Sequence, residues 1–352
     1  MKYSLRKNIL DMPGYIPGEQ PHGGNFIKLN TNECPYPPSE RVLAACVSAV
    51  KTLNRYPDPL ANGFRNAASE IFDLPHDWFL TGNGSDDLLT ILTRAFVGEG
   101  DILRLPYPSY ILYKSLAQLQ NANSQEVLFT EDWRLSPEFA RTMPNLKLVY
   151  LPNPNSPSGT CISREEILRL AHSLPCPLVV DEAYADFAPF HCMDLVRESQ
   201  NLIVLRTMSK SYALAGLRFG FLAARPEIIH QLIKVKDSYN CDALSISAAT
   251  AAIQDRDWFS QTRQKILKTR EVMFHELQTL GFQVTPSDAN FLWCTLPDRS
   301  VKPLYEKLKS ENIFVRYMVY PDWAPGHGEG LRISVGTDSE IAHLLRRIAE
   351  LL

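Results

Sequence analysis

The sequence predicts an α/β protein with three parts: a large domain built on a mostly parallel, doubly wound sheet, a smaller α+β domain, and an extended amino-terminal arm. Three observations lead to this prediction. Between residues 78 and 224, short apolar runs alternate with amphipathic segments, which is typical of βαβ units. After residue 280, strand-like runs and helices alternate over a shorter stretch. The first 40 residues are rich in proline and glycine, which favours an extended chain.

The large domain is expected over residues 41–240. Its strands are predicted from seven apolar runs, at residues 78–80, 102–103, 127–129, 146–151, 178–180, 201–205 and 219–223. The intervening segments fit helices. The clearest helix is at residues 85–97, where five apolar side chains share one face, namely Leu88, Leu89, Leu92, Ala95 and Phe96.

The small domain is expected over residues 241–352. Its strands follow a long helical stretch near residues 226–280. Its strands are predicted at residues 282–284, 289–296, 313–316 and 331–335. Its helices are predicted at residues 301–311 and 338–352. Residues 1–40 form the arm, which we expect to pack against this domain.

The composition is that of a soluble globular protein. Of the 352 residues, 45% are hydrophobic and 21% are charged, so a disordered or fibrous chain is excluded. The formal charge of −3 and the lack of dense basic runs argue against nucleic-acid binding. No apolar stretch approaches the ~18 residues of a spanning helix, and residues 1–6 lack the apolar region of a signal peptide. Neither a membrane nor secretion is therefore expected.

Cysteine and histidine spacing argues against metal binding and disulfides. The seven cysteines are scattered and contain no Cys-x-x-Cys pair. The eight histidines show no His-Glu-x-x-His or similar ligand spacing. We therefore expect no metal, and reduced thiols in a cytoplasmic protein.

A lysine follows one of the predicted interior strands, in the stretch RTMSKSYALAGLRFG (206–220). The strand at 201–205 delivers Ser209 and Lys210 into a loop at the carboxyl edge of the sheet, where α/β proteins bind ligands. A lysine there can hold an anion as a point charge. It can also act, once partly desolvated, as a nucleophilic amine that forms a Schiff base.

Three further loops follow strands at the same edge. In TGNGSDD (81–87), two glycines precede a helix that begins near Ser85, so backbone N–H groups could face an anion, although a plain turn with a helix cap fits equally well. Asp86 and Asp87 would oppose a bound phosphate, and Arg218 could compensate for them. The turn NPNSPSG (153–159) offers amide and hydroxyl donors.

Asp181 comes directly after three apolar residues in LVVDEAY (178–184). A carboxylate at the end of a buried strand needs a partner. The partner could be a backbone cap, a magnesium ion, or the protonated ring nitrogen of a pyridine. Together, an amine, a carboxylate, ring-oxygen donors and a phosphate cradle match the groups of pyridoxal 5'-phosphate.

Taken together, these motifs resemble the fold-type I pyridoxal-phosphate enzymes of aminotransferase class II, and among them the histidinol-phosphate aminotransferase family, over nearly the whole chain. The matching stretches are GYIPGEQP, IKLNTNECPYPPS, RYPDP, TGNGSDDLL, YPSY, NPNSPSG, VVDEAYADF, RTMSKSYALAGLRFG, DANFLW, IFVR and LRISVGT.

The resemblance implies roles for residues around the cofactor ring. Lys210 would carry the cofactor covalently and move the substrate proton. Asp181 would keep the pyridine nitrogen protonated, Tyr184 would bond the ring hydroxyl, and Tyr110 would stack on the ring. Where the family has asparagine before Pro-Thr-Gly, this chain has Ser156, so we expect the ring-oxygen donor to be the adjacent Asn155 or, failing that, Tyr184.

The resemblance also implies a phosphate cradle and a dimer. Ser209, Arg218 and the backbone N–H groups of Ser85 and Asp86 would hold the cofactor phosphate. Tyr56 in RYPDP would reach that phosphate from the other subunit, so the enzyme would be a homodimer with a shared active site, the arm packing with the partner. Without the surrounding motifs, each of these tyrosines would be read as a packing aromatic.

Three residues would bind the substrate. Arg332 resembles the arginine that clamps substrate carboxylates, and a planar fork suits carboxylate or phosphate. Arg316 and Tyr15 match the positions that the family uses with it for the substrate phosphate. A surface ion pair is the alternative reading of Arg316.

The activity implied is transamination of L-histidinol phosphate with 2-oxoglutarate, giving imidazole acetol phosphate and glutamate in histidine biosynthesis. One alternative is an aromatic or broad-specificity amino-acid aminotransferase. The other is a threonine-phosphate decarboxylase, because PHGGN (21–25) resembles the amino-terminal motif of that family. A non-catalytic regulatory domain would be expected to accompany a DNA-binding module, for which no residues remain in this sequence.

Overall fold

The computed structural model describes residues 4–14, 18–21, 25–321, 323–326 and 328–352. Within these ranges, no helix combines the length and apolar character needed to cross a membrane. The helices α1 to α11 span Lys7–Asp11, Glu40–Val50, Asn62–Phe72, Ser85–Phe96, Leu112–Leu119, Arg164–Ser173, Pro226–Leu232, Ala243–Gln254, Arg256–Thr279, Lys302–Ser310 and Asp338–Leu351. The strands β1 to β12 span Ile27–Leu29, Phe79–Gly82, Ile102–Tyr107, Asn123–Leu128, Leu146–Pro152, Leu178–Asp181, Leu202–Thr207, Gly220–Ala223, Gln283–Thr285, Phe291–Thr295, Ile313–Tyr320 and Gly328–Ser334.

The large sheet has seven strands in the order β2-β8-β7-β6-β5-β3-β4. Strands β7, β6, β5, β3 and β4 run parallel, and β8 is antiparallel to both of its neighbours. Parallel strands that are adjacent in the sheet end at the same edge, so the loops after β5, β6 and β7 meet there. The predicted α/β class with a mostly parallel sheet is confirmed.

Both faces of the large sheet are buried, which explains the continuous apolar runs in the sequence. Alternate residues of the central strands belong to two separate cores. Val149 and Val180 pack into the core under α2, α3, α6 and α8. Tyr150 and Val179, one position away on the same strands, pack into the core under α4, α5 and α7. The sheet therefore lies between two helical layers.

The small sheet joins the amino-terminal arm to the carboxyl-terminal region. Its order is β1-β11-β12-β10-β9, in which only β1 pairs in parallel with its neighbour. Helices α10 and α11 and the later part of α9 cover it through a core of their own. The arm, which is predicted from the sequence to be extended chain, contains the strand β1. Residues 27–29 pair with β11 because their short apolar run can complete the edge of this sheet.

Residues beyond 240 contribute to both hydrophobic cores. Ala248, Ala252 and Phe259, on α8 and the start of α9, belong to the large core. The small core begins along α9 with Ile266. Helix α8 packs on α2 and α3 because its many alanines allow close approach, so the long helical stretch is shared between the two domains.

A buried ion cluster fastens the loop that carries Lys210. Arg206, near the end of β7, donates to Asp186 and lies 3.8 Å from Glu182. Ser211, just past Lys210, donates to the other carboxylate oxygen of Asp186. Asp186 therefore holds the chain on both sides of the lysine. Burial raises the pKa of Glu182 to about 7, which the nearby Arg206 opposes.

Replacing Arg206 by methionine should destabilise the fold strongly. The change leaves the carboxylates of Glu182 and Asp186 without their cation, and breaking a buried pair in this way costs about 3–5 kcal/mol. Urea denaturation should show a lower midpoint with an unchanged slope. Arg134→Met is the matched control, because the ion pair of Arg134 with Asp132 is exposed and should matter little. A wild-type midpoint for Arg206→Met would contradict this account.

Candidate active site

The loops at the carboxyl edge of the large sheet surround a cavity of about 430 Å³, and the strands β11 and β12 close its other side. Ten residues singled out from the sequence line this cavity: Ser85, Asp86, Tyr110, Asp181, Tyr184, Ser209, Lys210, Arg218, Arg316 and Arg332. Motifs that are far apart in the chain are thus brought together at one site.

Asp181 is the last residue of β6 and is almost completely buried. Its Oδ2 accepts a hydrogen bond of 2.8 Å from the hydroxyl of Tyr113, and its Oδ1 accepts one of 3.1 Å from the backbone N–H of Ala183. Burial raises the pKa of Asp181 to about 6, although both hydrogen bonds lower it. A carboxylate in this position would be stabilised by a cationic group in the cavity.

Lys210 is half-buried, and its Nζ donates to the carbonyl oxygen of Thr31 at 3.0 Å. Burial, together with the positive charge of Arg332, lowers the pKa of Lys210 to about 8. A pKa near 8 leaves a useful fraction of neutral amine at neutral pH. Of the two roles considered for this lysine, the geometry favours the nucleophilic amine.

Two tyrosines predicted from the sequence line the same cavity. Tyr184 accepts a hydrogen bond of 3.0 Å from the amide of Asn32, and burial raises its pKa, so that it remains a neutral hydroxyl. Tyr110 donates to Asp86 at 3.2 Å and meets Tyr113 edge-on. The hydroxyl of Tyr184 is therefore available as a donor, and Tyr110 is fixed in position.

In the region expected to hold a phosphate, two glycines make close contacts with neighbouring groups. Helix α4 begins at Ser85, after Gly84 with a φ of +82°. A Cβ on Gly84 would lie 2.6 Å from the guanidinium of Arg218, and a Cβ on Gly220 would lie 2.7 Å from the backbone nitrogen of Ser85. Both positions therefore require glycine. They bring the first turn of α4 and Arg218 close together around one small space.

Polar side chains complete that space. The hydroxyl of Ser209 accepts from Thr207 at 3.0 Å and from the guanidinium of Arg218 at 3.4 Å. Arg218 also lies 3.3 Å from the carboxylate of Asp86. The like-sign conflict between Asp86 and a phosphate, noted from the sequence, is thus offset by Arg218 at the same point.

Two arginines face each other across adjacent strands of the small sheet. Arg316 on β11 and Arg332 on β12 are directly paired in register. Arg332 donates to the hydroxyl of Ser156 at 2.9 Å and to the carbonyl oxygen of Asn30 at 3.1 Å. Like charges that are directly opposite on a sheet repel each other, so a bound anion would stabilise this pair. Among the described residues, Arg316 has no ion-pair partner, which does not favour the surface-pair reading.

Two of the predicted site residues that the structure describes, Asn155 and Tyr56, are not on the cavity wall. The amide nitrogen of Asn155 donates to the carbonyl oxygen of Pro108 at 3.2 Å and to the hydroxyl of Ser158 at 3.0 Å, and Asn155 is not among the residues that line the cavity. Tyr56 is 81% exposed and stacks on Tyr239 with ring centres 4.5 Å apart. Tyr15 lies outside the described residues.

The structure also shows contact residues that sequence reasoning missed. Tyr113 binds Asp181, Asn32 binds Tyr184, and Ser156 binds Arg332. Tyr113 lies three residues after Tyr110, at helical spacing, which was the available signal for it. The role of Asn32 depends on contacts between distant segments and left no local signal.

This donor set fits pyridoxal 5'-phosphate. A buried carboxylate, a hydroxyl donor, a lysine amine and a phosphate-sized space at a helix N-terminus surround one cavity. The charged groups on the described wall are four cations, Lys210, Arg218, Arg316 and Arg332, and three carboxylates, Glu33, Asp86 and Asp181. This balance favours ligands that carry phosphate.

Comparisons with known proteins agree with this reading. The aminotransferase class I and II family matches residues 24–348. The histidinol-phosphate aminotransferase of Rhodopirellula baltica is 55% identical over 338 residues, covering 96% of this chain and 92% of that protein. The corresponding protein of Geotalea daltonii is 42% identical over 349 residues, covering 99% of each chain.

Solved structures show the same fold. The crystal structure of histidinol-phosphate aminotransferase from Sinorhizobium meliloti in complex with pyridoxal 5'-phosphate superimposes with a TM-score of 0.90 at 25% identity, covering 99% of this chain and 97% of that one. An aspartate aminotransferase of Thermus thermophilus shares the fold, with a TM-score of 0.83 at 20% identity over 99% of this chain and 100% of that one. The predicted family is confirmed: the chain belongs to the histidinol-phosphate aminotransferase family of the class I and II aminotransferases.

Proposed function

We propose that this protein is a pyridoxal-phosphate-dependent transaminase of histidine biosynthesis, which transfers the amino group of L-histidinol phosphate to 2-oxoglutarate and yields imidazole acetol phosphate and glutamate. The observation that carries this proposal is the arginine pair Arg316 and Arg332 on the wall of the cavity that holds Lys210 and Asp181. A second anion site beside the amine and the carboxylate suits an amino donor that carries a phosphate. The names of the relatives support the same activity.

When bound, the cofactor supplies an electrophilic carbon for the donor's nitrogen and a ring that draws electron density from it. Asp181 would hold the ring nitrogen in its protonated form through a charge-assisted hydrogen bond. Lys210, with its pKa near 8, would take the proton from the donor's carbon and deliver it to the electrophilic carbon of the cofactor. Tyr184 would donate to the ring oxygen.

Glutamate must use the same cavity in the second half of the reaction. Its α-carboxylate needs one bidentate arginine, and Arg332 is already oriented by Ser156 and Asn30. If Arg332 binds both histidinol phosphate and glutamate, Arg316 is available to bind the phosphate, which only histidinol phosphate carries. That assignment separates the proposed activity from a broad-specificity amino-acid aminotransferase.

The alternative of a threonine-phosphate decarboxylase receives no support. Within the motif PHGGN, residues 22–24 lie outside the described residues. The two relatives compared above by sequence are both histidinol-phosphate aminotransferases.

We further propose that the enzyme is a cytoplasmic homodimer in which each active site includes Tyr56 from the partner and the arm packs across the interface. The exposure of Tyr56 supports this proposal, because an aromatic ring that is 81% exposed in one chain gains by burial against another. The seven free cysteines are consistent with a reducing compartment.

Lys210→Ala should abolish the covalent linkage to the cofactor, and with it the visible absorbance of the holoenzyme, because only this ε-amine lies in the cavity among the described lysines. Lys210→Arg keeps the positive charge and should also be unable to form the covalent linkage. Lys268→Ala, at an exposed position, serves as the control. The measurement is the absorbance spectrum together with mapping of a borohydride-reduced adduct. Activity retained in Lys210→Arg would show that the lysine only holds an anion.

Arg316→Ala should weaken the binding of histidinol phosphate much more than the binding of glutamate. Each charge-assisted contact to phosphate contributes on the order of 1.5–3 kcal/mol, so the loss for histidinol phosphate should be roughly ten- to a hundredfold. Arg332→Ala should impair the half-reactions with both donors, since both donors require the guanidinium of Arg332. The measurement is the half-reaction of each variant with each donor. Equal losses for the two donors in Arg316→Ala would favour a broad-specificity amino-acid aminotransferase instead.

A further inference from the structure

Asn32 connects all three parts of the protein at the active site. It lies just after β1 of the arm and is 1% exposed. Its backbone N–H donates to Ser334 of β12 at 2.9 Å, and its carbonyl oxygen accepts from the amide of Asn290 at 3.0 Å. Its side chain reaches across to the large domain, where it contacts the hydroxyl of Tyr184 at 3.0 Å.

The hydrogen bonds of Ser334 fix which way the Asn32 amide points. A serine hydroxyl has one proton to donate. The oxygen of Ser334 already accepts the backbone N–H of Asn32, and its proton goes to Oδ1 of the same residue at 2.9 Å. The Nδ2 side of the amide must therefore face Tyr184, so Tyr184 is the acceptor in that contact and its own proton is left to point elsewhere.

The surroundings of Tyr184 leave the cavity as the direction for that proton. The ring meets Phe291 edge-on at 5.0 Å, and Nζ of Lys210 lies 5.9 Å from its centre. The charged groups that act on Tyr184 are Arg332, Asp181 and Asp86, and burial keeps the hydroxyl protonated by raising its pKa. Tyr184 lines the cavity in which its proposed partner would bind.

We propose that Asn32 is a positioning residue, which sets the hydroxyl of Tyr184 so that its proton points at the ring oxygen of the bound cofactor. The inference rests on the proposed function, because it assumes that Tyr184 serves this oxygen. Through Ser334 and Asn290, the small domain thereby determines the orientation of a hydrogen bond made by the large domain.

Asn32→Gly removes the amide with little strain on the backbone. The φ of Asn32 is +56°, a conformation that glycine adopts readily and alanine does not. The probe is the visible absorbance of the holoenzyme as a function of pH, which reports the proton shared by the ring oxygen and the nitrogen of the lysine linkage. A donor to the ring oxygen stabilises the deprotonated form, so its loss should raise that pKa. We expect a rise of about 0.5 to 1 for Asn32→Gly, and a rise in the same direction for Ser334→Ala.

Tyr184→Phe distinguishes positioning from a general structural effect. If Asn32 acts through Tyr184, Asn32→Gly should cause no further rise in the Tyr184→Phe background. An unchanged pKa in Asn32→Gly, or an equal rise in both backgrounds, would overturn the inference. If Tyr184→Phe itself leaves the pKa unchanged, the proposed role of Tyr184 fails as well, so the two failures are distinguishable. Circular dichroism of each variant confirms that it is folded.

Discussion

The buried carboxylate of Asp181 at the end of the central strand β6 is the constraint on which the rest of the site depends. Burial raises its pKa to about 6 although two hydrogen bonds lower it, so a cation beside the carboxylate would favour its charged form. Tyr113 and the backbone of Ala183 provide two donors, and the cavity must provide a cation. The protonated ring nitrogen of the proposed cofactor would meet that need. The parallel sheet holds the carboxylate in place, because β6 is paired on both sides along its length.

The site brings like charges together at two points, and a group of opposite charge would offset the repulsion at each. Asp86 stands at the start of α4, where the cofactor phosphate is expected, and Arg218 offsets it. Arg316 and Arg332 oppose each other across two strands, where a substrate phosphate is expected. The free protein is thus poised for anions at two separate points. In the proposed function, this arrangement would link the fold of the small domain to the choice of substrate.

The sequence predicted what local patterns determine. Apolar runs such as residues 146–151 and 178–180 matched β5 and β6 closely, because strands that are buried on both faces leave a continuous signal. The strand-end residues Asp181 and Lys210 were found for the same reason. Contacts between distant segments were not predictable. Asn32 meets Tyr184 and Ser334 only after the arm has joined the small sheet, and the hydrogen bond from the amide of Asn155 to Pro108 likewise joins segments that are far apart in the sequence.

The most direct test of the central claim is the ¹⁵N chemical shift of the ring nitrogen of labelled cofactor in the wild type and in Asp181→Asn. The isosteric change keeps the shape of the site but removes the charge that favours a protonated ring. At neutral pH, the account predicts a protonated nitrogen in the wild type and an unprotonated one in the variant, whose half-reaction should be slowed roughly ten- to a hundredfold although the cofactor remains bound. The same shift in both proteins would contradict the account, since Asp181 would then be only a cap at the end of β6.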